Sequence, residues 1–239
     1  MCRLLGMISG SERELGYWLV DARNALRDQA PKHPHGWGVA SFEAGAWTLA
    51  RAPKAAHEDE QFVRRARAAR GTAFVAHIRN ASRGAHTLVN THPFLRRGWA
   101  FAHNGTILNA TELLAGVAPE LQPTGETDSE VLFCLILTTL REACADYRRI
   151  APPTVCRCLA DVAPQVQGKQ GTSFLLSDGL QLYFYRSGNS LKWLQPESAA
   201  PPMLLVASEA IGDEEWVDLP DGEGGVVDRS LEVRSWADA

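Results

Sequence analysis

The order of elements predicts a layered α+β domain in which two β-sheets are covered by helices. Two observations carry this expectation. Both ends of the chain alternate short apolar runs with Gly- and Asn-containing turns, whereas the middle, from Thr127, switches to helical spacing. No internal repeat or low-complexity linker interrupts the 239 residues, so 1–239 reads as a single domain.

Residues 3–8 read as a strand. Leu15, Trp18, Leu19, Ala22 and Leu26 fall at helical spacing and predict an amphipathic helix over 11–29. Strands 38–42 and 47–52 flank Glu43-Ala44-Gly45-Ala46, a hairpin signal. The basic run 64–70 alternates with alanine and reads as the solvated face of a short helix. Strands 72–78 and 99–103 each end in polar residues, above a packed sheet, where sites tend to be built. Thr127-Asp128-Ser129-Glu130 is a capping box ahead of Val131, Leu132, Leu135, Ile136, Leu140, Ala143 and Tyr147, the clearest helix in the chain. Pro152-Pro153 closes that region, and a second helix runs over 154–166 with Pro164 cutting its last turn short. Strands then return at 172–176 and 182–185, joined across Ser177-Asp178-Gly179, and at 191–194, 203–208, 225–227 and 231–233. The acidic, Gly-rich stretch 213–225 reads as a surface loop.

Hydrophobic residues make up 45% and charged residues 22%, enough for an ordinary core. The net charge of -4 argues against nucleic acid and anionic membranes as partners, since both need clustered Lys and Arg. No run of about 18 apolar residues predicts a membrane span, and the N-terminus lacks the apolar length of a secretory signal. Four of the five cysteines (Cys134, Cys144, Cys156, Cys158) fall in helical stretches, which suits free thiols in a reducing cytoplasm, the expected compartment.

The fifth, Cys2, has its own chemistry. A small residue at position two favours loss of Met1, which leaves Cys2 with a free α-amine of pKa ~7.7–8.0 beside a thiol of ~8.5. One residue then supplies both nucleophile and base. Taken alone, a cysteine at this position is far more often chance or a processing feature than a nucleophile. Extended spacing points His77, in strand 72–78, and Arg79, where that strand gives out, to one face, and the Arg79 guanidinium suits either a substrate carboxylate or a local salt bridge. Asn104-Gly105 is first a turn signal; its functional reading is an oxyanion hole of the Asn104 amide and the Gly105 backbone N–H. Asp128, in the first helical turn, favours the helix dipole or binds a substrate ammonium. A metal site built from Cys2, His33, His35, His77 and His92 is disfavoured, because zinc would quench a nucleophilic thiolate.

Met1-Cys2 with Gly6, Gly36-Trp37-Gly38-Val39-Ala40, His77-Ile78-Arg79 with Ser82, Asn90-Thr91-His92-Pro93-Phe94, His103-Asn104-Gly105 and Gly125-Glu126-Thr127-Asp128-Ser129-Glu130 occur in that order. The set resembles the class II glutamine amidotransferases, in particular the stand-alone YafJ/EgtC-like group, over residues 1 to about 135 in motifs and more loosely to the end. The resemblance implies a four-layer αββα N-terminal-nucleophile hydrolase fold with two stacked antiparallel sheets, as one glutaminase-type domain. It implies Cys2 as nucleophile and Asn104 with Gly105 as the oxyanion hole. Arg79, helped by Ser82, would hold the α-carboxylate of glutamine, and Asp128 the α-ammonium. His77, His92 and Trp37 fall with the substrate-binding residues, the histidines in support rather than in proton transfer.

The implied activity is cleavage of the γ-amide of glutamine or a γ-glutamyl compound through a Cys2 γ-glutamyl thioester, with no cofactor and no metal. Two alternatives are a glutaminase subunit delivering ammonia to a separate synthase and a catalytically silent binding protein of the same fold. One departure stands out: the family's usual Asp before Gly-Trp-Gly is His35 here.

Overall fold

The apolar run that opens the chain forms β1 (Arg3–Glu14), longer than the sequence suggests. In the computed structural model, which describes residues 2–197 and 199–238, β1 is central to a seven-stranded sheet, and its pairing with β4 (Arg70–Ile78) shifts register between Ile8 and Arg13. The expected helix over 11–29 is therefore largely absent. Arg13 and Glu14 pair with Gly71 and Arg70, a single π-helical turn spans Tyr17–Asp21, and Asn24 turns the chain at φ 56° before the short helix α1 (Leu26–Gln29). Leu15, Trp18, Leu19, Ala22 and Leu26 are all buried, but the apolar spacing serves a compact irregular segment rather than a continuous helix.

The hairpin forms as expected from β2 (Trp37–Glu43) and β3 (Ala46–Ala52), with Ala44 and Gly45 both at positive φ. Helix α2 (Glu60–Ala68) absorbs most of the basic run; Arg67 pairs with Asp21 on its exposed face, while Arg70 opens β4 and pairs with Glu14. β5 (Phe94–Arg96) and β6 (Trp99–Ile107) follow. Asn104 and Gly105 do not turn the chain: they lie within β6, opposite Ser173 and Thr172. After α3 (Ala110–Leu114) comes α4 (Asp128–Ala143), capped by Thr127, whose hydroxyl accepts the Glu130 N–H at 3.1 Å. Glu130 does not complete the reciprocal bond; its carboxylate accepts from the N–H groups of Thr124 and Gly125. Pro152 and Pro153 open α5 (Pro152–Val162) rather than close the preceding region, as prolines in a first turn do.

The remainder is β7 (Gly168–Ser177), β8 (Gln181–Tyr185), β9 (Lys192–Leu194), β10 (Met203–Ala207), β11 (Val217–Asp218), β12 (Gly224–Asp228) and β13 (Val233–Ser235). The stretch 213–225 is thus not all loop. The sheets run β11-β9-β10-β1-β4-β2-β3 and β13-β12-β8-β7-β6-β5, antiparallel throughout.

Strand alternation sorts the core into three layers. Leu4, Ile8 and Val75 meet Ala102, Leu175 and Leu182 between the sheets. Leu5, Met7, Phe74 and Ala76 face the segment of α1 and α2. Phe101, Phe174 and Tyr183 face α4 and α5. The result is a helix–sheet–sheet–helix stack. Cys134, Cys144, Cys156 and Cys158 are free thiols, and no helix among the described residues is long and apolar enough to cross a membrane.

Candidate active site

Three chain segments converge where β1 begins. The β1–β4 ladder sets Leu4 against His77, so Cys2, just ahead of β1, meets Asn80 just beyond β4. The Asn80 N–H donates to Cys2 Sγ at 3.2 Å, and the thiol lies 3.6 Å from the Asn80 carbonyl. Burial pushes the Cys2 thiol up from its ordinary pKa, while the Asn80 N–H and the Arg79 charge pull it down and Asp128 adds to the rise. Asn80 was not singled out from the sequence; it acts through its backbone, which carries no residue-type signal.

From β6 come His103, Asn104 and Gly105. Gly105 shares a cavity wall with Cys2. A Cβ there would lie 2.5 Å from the Gly171 carbonyl and 2.8 Å from His103 Nε2, so this close packing requires glycine. Asn104 is buried; its carbonyl accepts from Asn189 Nδ2 at 3.0 Å, and its side-chain oxygen has no partner among the described residues. That leaves the amide uncommitted to any fold-stabilising bond through its oxygen. Asn104 itself lines neither cavity beside Cys2.

Helix α4 presents Asp128 at its N-terminus. Its carboxylate accepts the N–H groups of Ile107 at 2.7 Å and Ser129 at 2.9 Å, which tie β6 to the helix. Arg79 is 2% exposed and donates to the carbonyls of Ala85, Arg83 and Gly84 at 3.1, 2.8 and 3.3 Å. Ser82 is exposed and accepts from Thr106 Oγ1 at 2.9 Å.

Cys2, Arg79, His92, His103, Gly105 and Asp128 surround an inner cavity of about 20 Å³. An outer cavity of about 240 Å³ opens from the same wall. His77 and His92 pack with ring centroids 4.4 Å apart, and among the described residues no ring nitrogen of either meets a hydrogen-bond partner in good geometry. Burial takes His77 down to about 3 and His92 well below its ordinary value, so both are neutral. His103, not expected among the site residues, bonds Ser129 Oγ through Nδ1 at 2.8 Å and is held by burial at about 4. Its place in the His-Asn-Gly motif was the available signal.

Trp37 is not brought to this site. Its strand register turns it outward, where Nε1 donates to Asp59 Oδ2 at 2.9 Å and the ring packs edge-on against Phe62. The neighbouring Gly38 explains the motif differently: a Cβ would meet the His92 carbonyl at 2.2 Å, so the glycine lets β2 pass the segment carrying His92. His35, in the departing position, accepts the Ala81 N–H through Nδ1 at 2.9 Å and stacks on His86, so it braces the chain between Asn80 and Ser82. His33 bonds the Gln29 carbonyl instead, and among the described residues no group of three or more His, Cys, Asp or Glu is arranged to hold a metal ion.

Two stacked antiparallel sheets between helix layers, with a cysteine at the head of a central strand, define an N-terminal-nucleophile hydrolase fold. A structure of a glutamine aminotransferase class-II domain protein from Silicibacter pomeroyi superposes with a TM-score of 0.68 at 23% identity, covering 99% of each chain. Residues 1–200 match the model of the class-II glutamine amidotransferases; the chain belongs to this family. Escherichia coli YafJ, which carries the name of a glutamine amidotransferase, is 31% identical over 81% of this chain and 76% of its own. A Mycobacterium tuberculosis gamma-glutamyl-hercynylcysteine sulfoxide hydrolase is 28% identical over 92% of this chain and 90% of its own. A Methanocaldococcus jannaschii relative is 31% identical over 91% of this chain, which spans 59% of that protein's length.

Proposed function

We propose that this chain is an amidohydrolase that cleaves the γ-amide of glutamine or of a γ-glutamyl compound, with Cys2 as the nucleophile. The observation that carries the reading is the meeting of Cys2, Gly105, Arg79 and Asp128 around one cavity. Similarity to the M. tuberculosis hydrolase over nearly its whole length favours a free-standing hydrolase over a subunit that hands ammonia to a synthase.

Loss of Met1 gives Cys2 its own α-amine, a base of pKa ~7.7–8.0 placed to take the proton of a thiol that burial makes reluctant to ionise. Arg79 and Asp128 fix the amino-acid end of the substrate, which turns the encounter into an effectively unimolecular attack. The inner cavity as it stands holds about one water molecule, so the carbonyls of residues 83–85 yield part of the Arg79 guanidinium to the substrate carboxylate.

Cys2 Sγ then adds to the γ-carbonyl carbon. The electron pair displaced onto oxygen is stabilised by the Asn104 amide and the Gly105 N–H. As that pair returns, the C–N bond breaks, and the Cys2 ammonium gives its proton to the departing nitrogen. Ammonia or an amine leaves, and a γ-glutamyl thioester remains. Water, losing a proton to the same amine, adds to the thioester; the C–S bond breaks, glutamate departs and the thiol is restored.

The test is glutamate release from glutamine and γ-glutamyl amides by protein whose intact mass begins at Cys2, beside Cys2→Ala. Release by the parent alone is expected. Equal release by both, or none by the parent, contradicts the reading.

A further inference from the structure

His35, the departure from the family pattern, takes no part in the proposed chemistry, yet the fold ties it to the nucleophile. The backbone just ahead of β2 is laced to the end of β4. The His35 N–H donates to the Arg79 carbonyl at 3.0 Å, and the Arg79 N–H to the Gly36 carbonyl at 2.7 Å. The His35 side chain reaches one step further, where Nδ1 accepts the Ala81 N–H at 2.9 Å.

That N–H belongs to the same planar peptide unit as the Asn80 carbonyl, and in a trans unit the two point in opposite directions. The carbonyl faces Cys2 Sγ at 3.6 Å, and the N–H of Asn80 itself donates to that sulfur at 3.2 Å. One side-chain acceptor thus sets the plane on which both backbone contacts of the thiol depend. The bond requires a neutral ring with its proton on Nε2. A second proton goes to Nδ1, where it faces the Ala81 N–H, donor against donor. The surroundings make that charge repulsive. Burial opposes it, His86 is stacked on the ring with centroids 4.1 Å apart, and the Arg79 cation acts in the same sense. Among the described residues no carboxylate pairs with the His35 ring; Glu126 meets this segment at the Ala85 N–H.

We infer that His35 is a positioning residue for the nucleophile: its neutral imidazole fixes the Asn80–Ala81 peptide unit against Cys2, and protonation releases that unit. The residue acts through the backbone and gives nothing to the reacting atoms. Its effect on turnover rests on the hydrolase reading above, whereas its effect on the thiol does not.

The test sets the parent chain beside two variants. His35→Asn puts an oxygen where Nδ1 lies but does not titrate, and His35→Ala has no acceptor. Two rates are followed from pH 8 to pH 5: alkylation of Cys2 by iodoacetamide, read on the Cys2 peptide of protein that has lost Met1, and kcat/KM for glutamine. At pH 8, H35N should match the parent within about twofold, and H35A should be slower in both rates by roughly three- to tenfold, the worth of one hydrogen bond. As pH falls below ~6.5, the ordinary histidine value, the parent should lose rate more steeply than H35N, because it loses the brace together with the thiolate. H35A rates equal to the parent's, equal impairment of H35A and H35N, or parallel pH profiles for parent and H35N each overturn the inference. If H35A does not fold, the profiles of parent and H35N decide. No glutamate from the parent defeats the hydrolase reading alone, since alkylation needs no turnover.

Discussion

In the proposed mechanism, charge that builds on the γ-carbonyl oxygen meets two donors, one of them the Asn104 amide. Asn104→Ala is expected to lower kcat ~100- to 1000-fold with KM little changed; steady-state kinetics showing an unchanged kcat would remove Asn104 from this role. Arg79→Ala acts on binding instead and should chiefly raise KM. If KM stays put, the guanidinium serves the carbonyls of Arg83, Gly84 and Ala85 and not the substrate. Cys2, Arg79, Gly105 and Asp128, which the fold brings around one cavity, could be singled out because their side chains, or in Gly105 the lack of one, suit the proposed chemistry. The Asn80 N–H on Cys2 could not, since any non-proline residue presents that group. Trp37 shows the converse: an aromatic inside a motif suggests ligand contact, but its parity on β2 sends it to the Phe62 side of the sheet.

Element by element, legibility followed how local the signal is. The β2–β3 hairpin and the start of α4 rest on contacts within four residues, and both formed where expected. Residues 11–29 misled because burying Trp18 and Leu19 needs only apolar side chains at the right places, while long-range pairing of Arg13 and Glu14 with β4 decides the backbone. Asn104-Gly105 misled in the same way, since pairing with β7 overrides the turn tendency. The Thr127 cap belongs to this scale. Thr127→Ala frees the Glu130 N–H and should cost about 1 kcal/mol, a fall of about 2–4 °C in Tm for a chain of this size. It should also raise KM under the proposed mechanism, because Asp128 lies in the first turn that the cap closes; calorimetry and kinetics on one preparation check both.

At the scale of the whole molecule, the two-sheet stack was readable from element order, but the burial of three histidines beside its site was not. Folding keeps His77 at about 3 and His103 at about 4, with His92 also far below 6.5. Between pH 6.5 and about 4 the unfolded chain binds protons that the folded chain refuses, so stability rises with pH across this window and is lost as pH falls through it. Each histidine contributes up to about 1.4 kcal/mol per pH unit. Denaturant midpoints at pH 7, 6 and 5 should decline in that order, and less steeply in His77→Gln; a flat profile would contradict neutral burial. The central claim concerns the chain's own first atoms: a sulfur carrying its base on the same residue. Intact-mass and fragment analysis after exposure to a glutamine-mimicking electrophile tests it most directly. One adduct, on Cys2 of a chain that has lost Met1, is the predicted result. An unlabelled Cys2, or an active protein that retains Met1 or bears an acyl cap, would contradict the account.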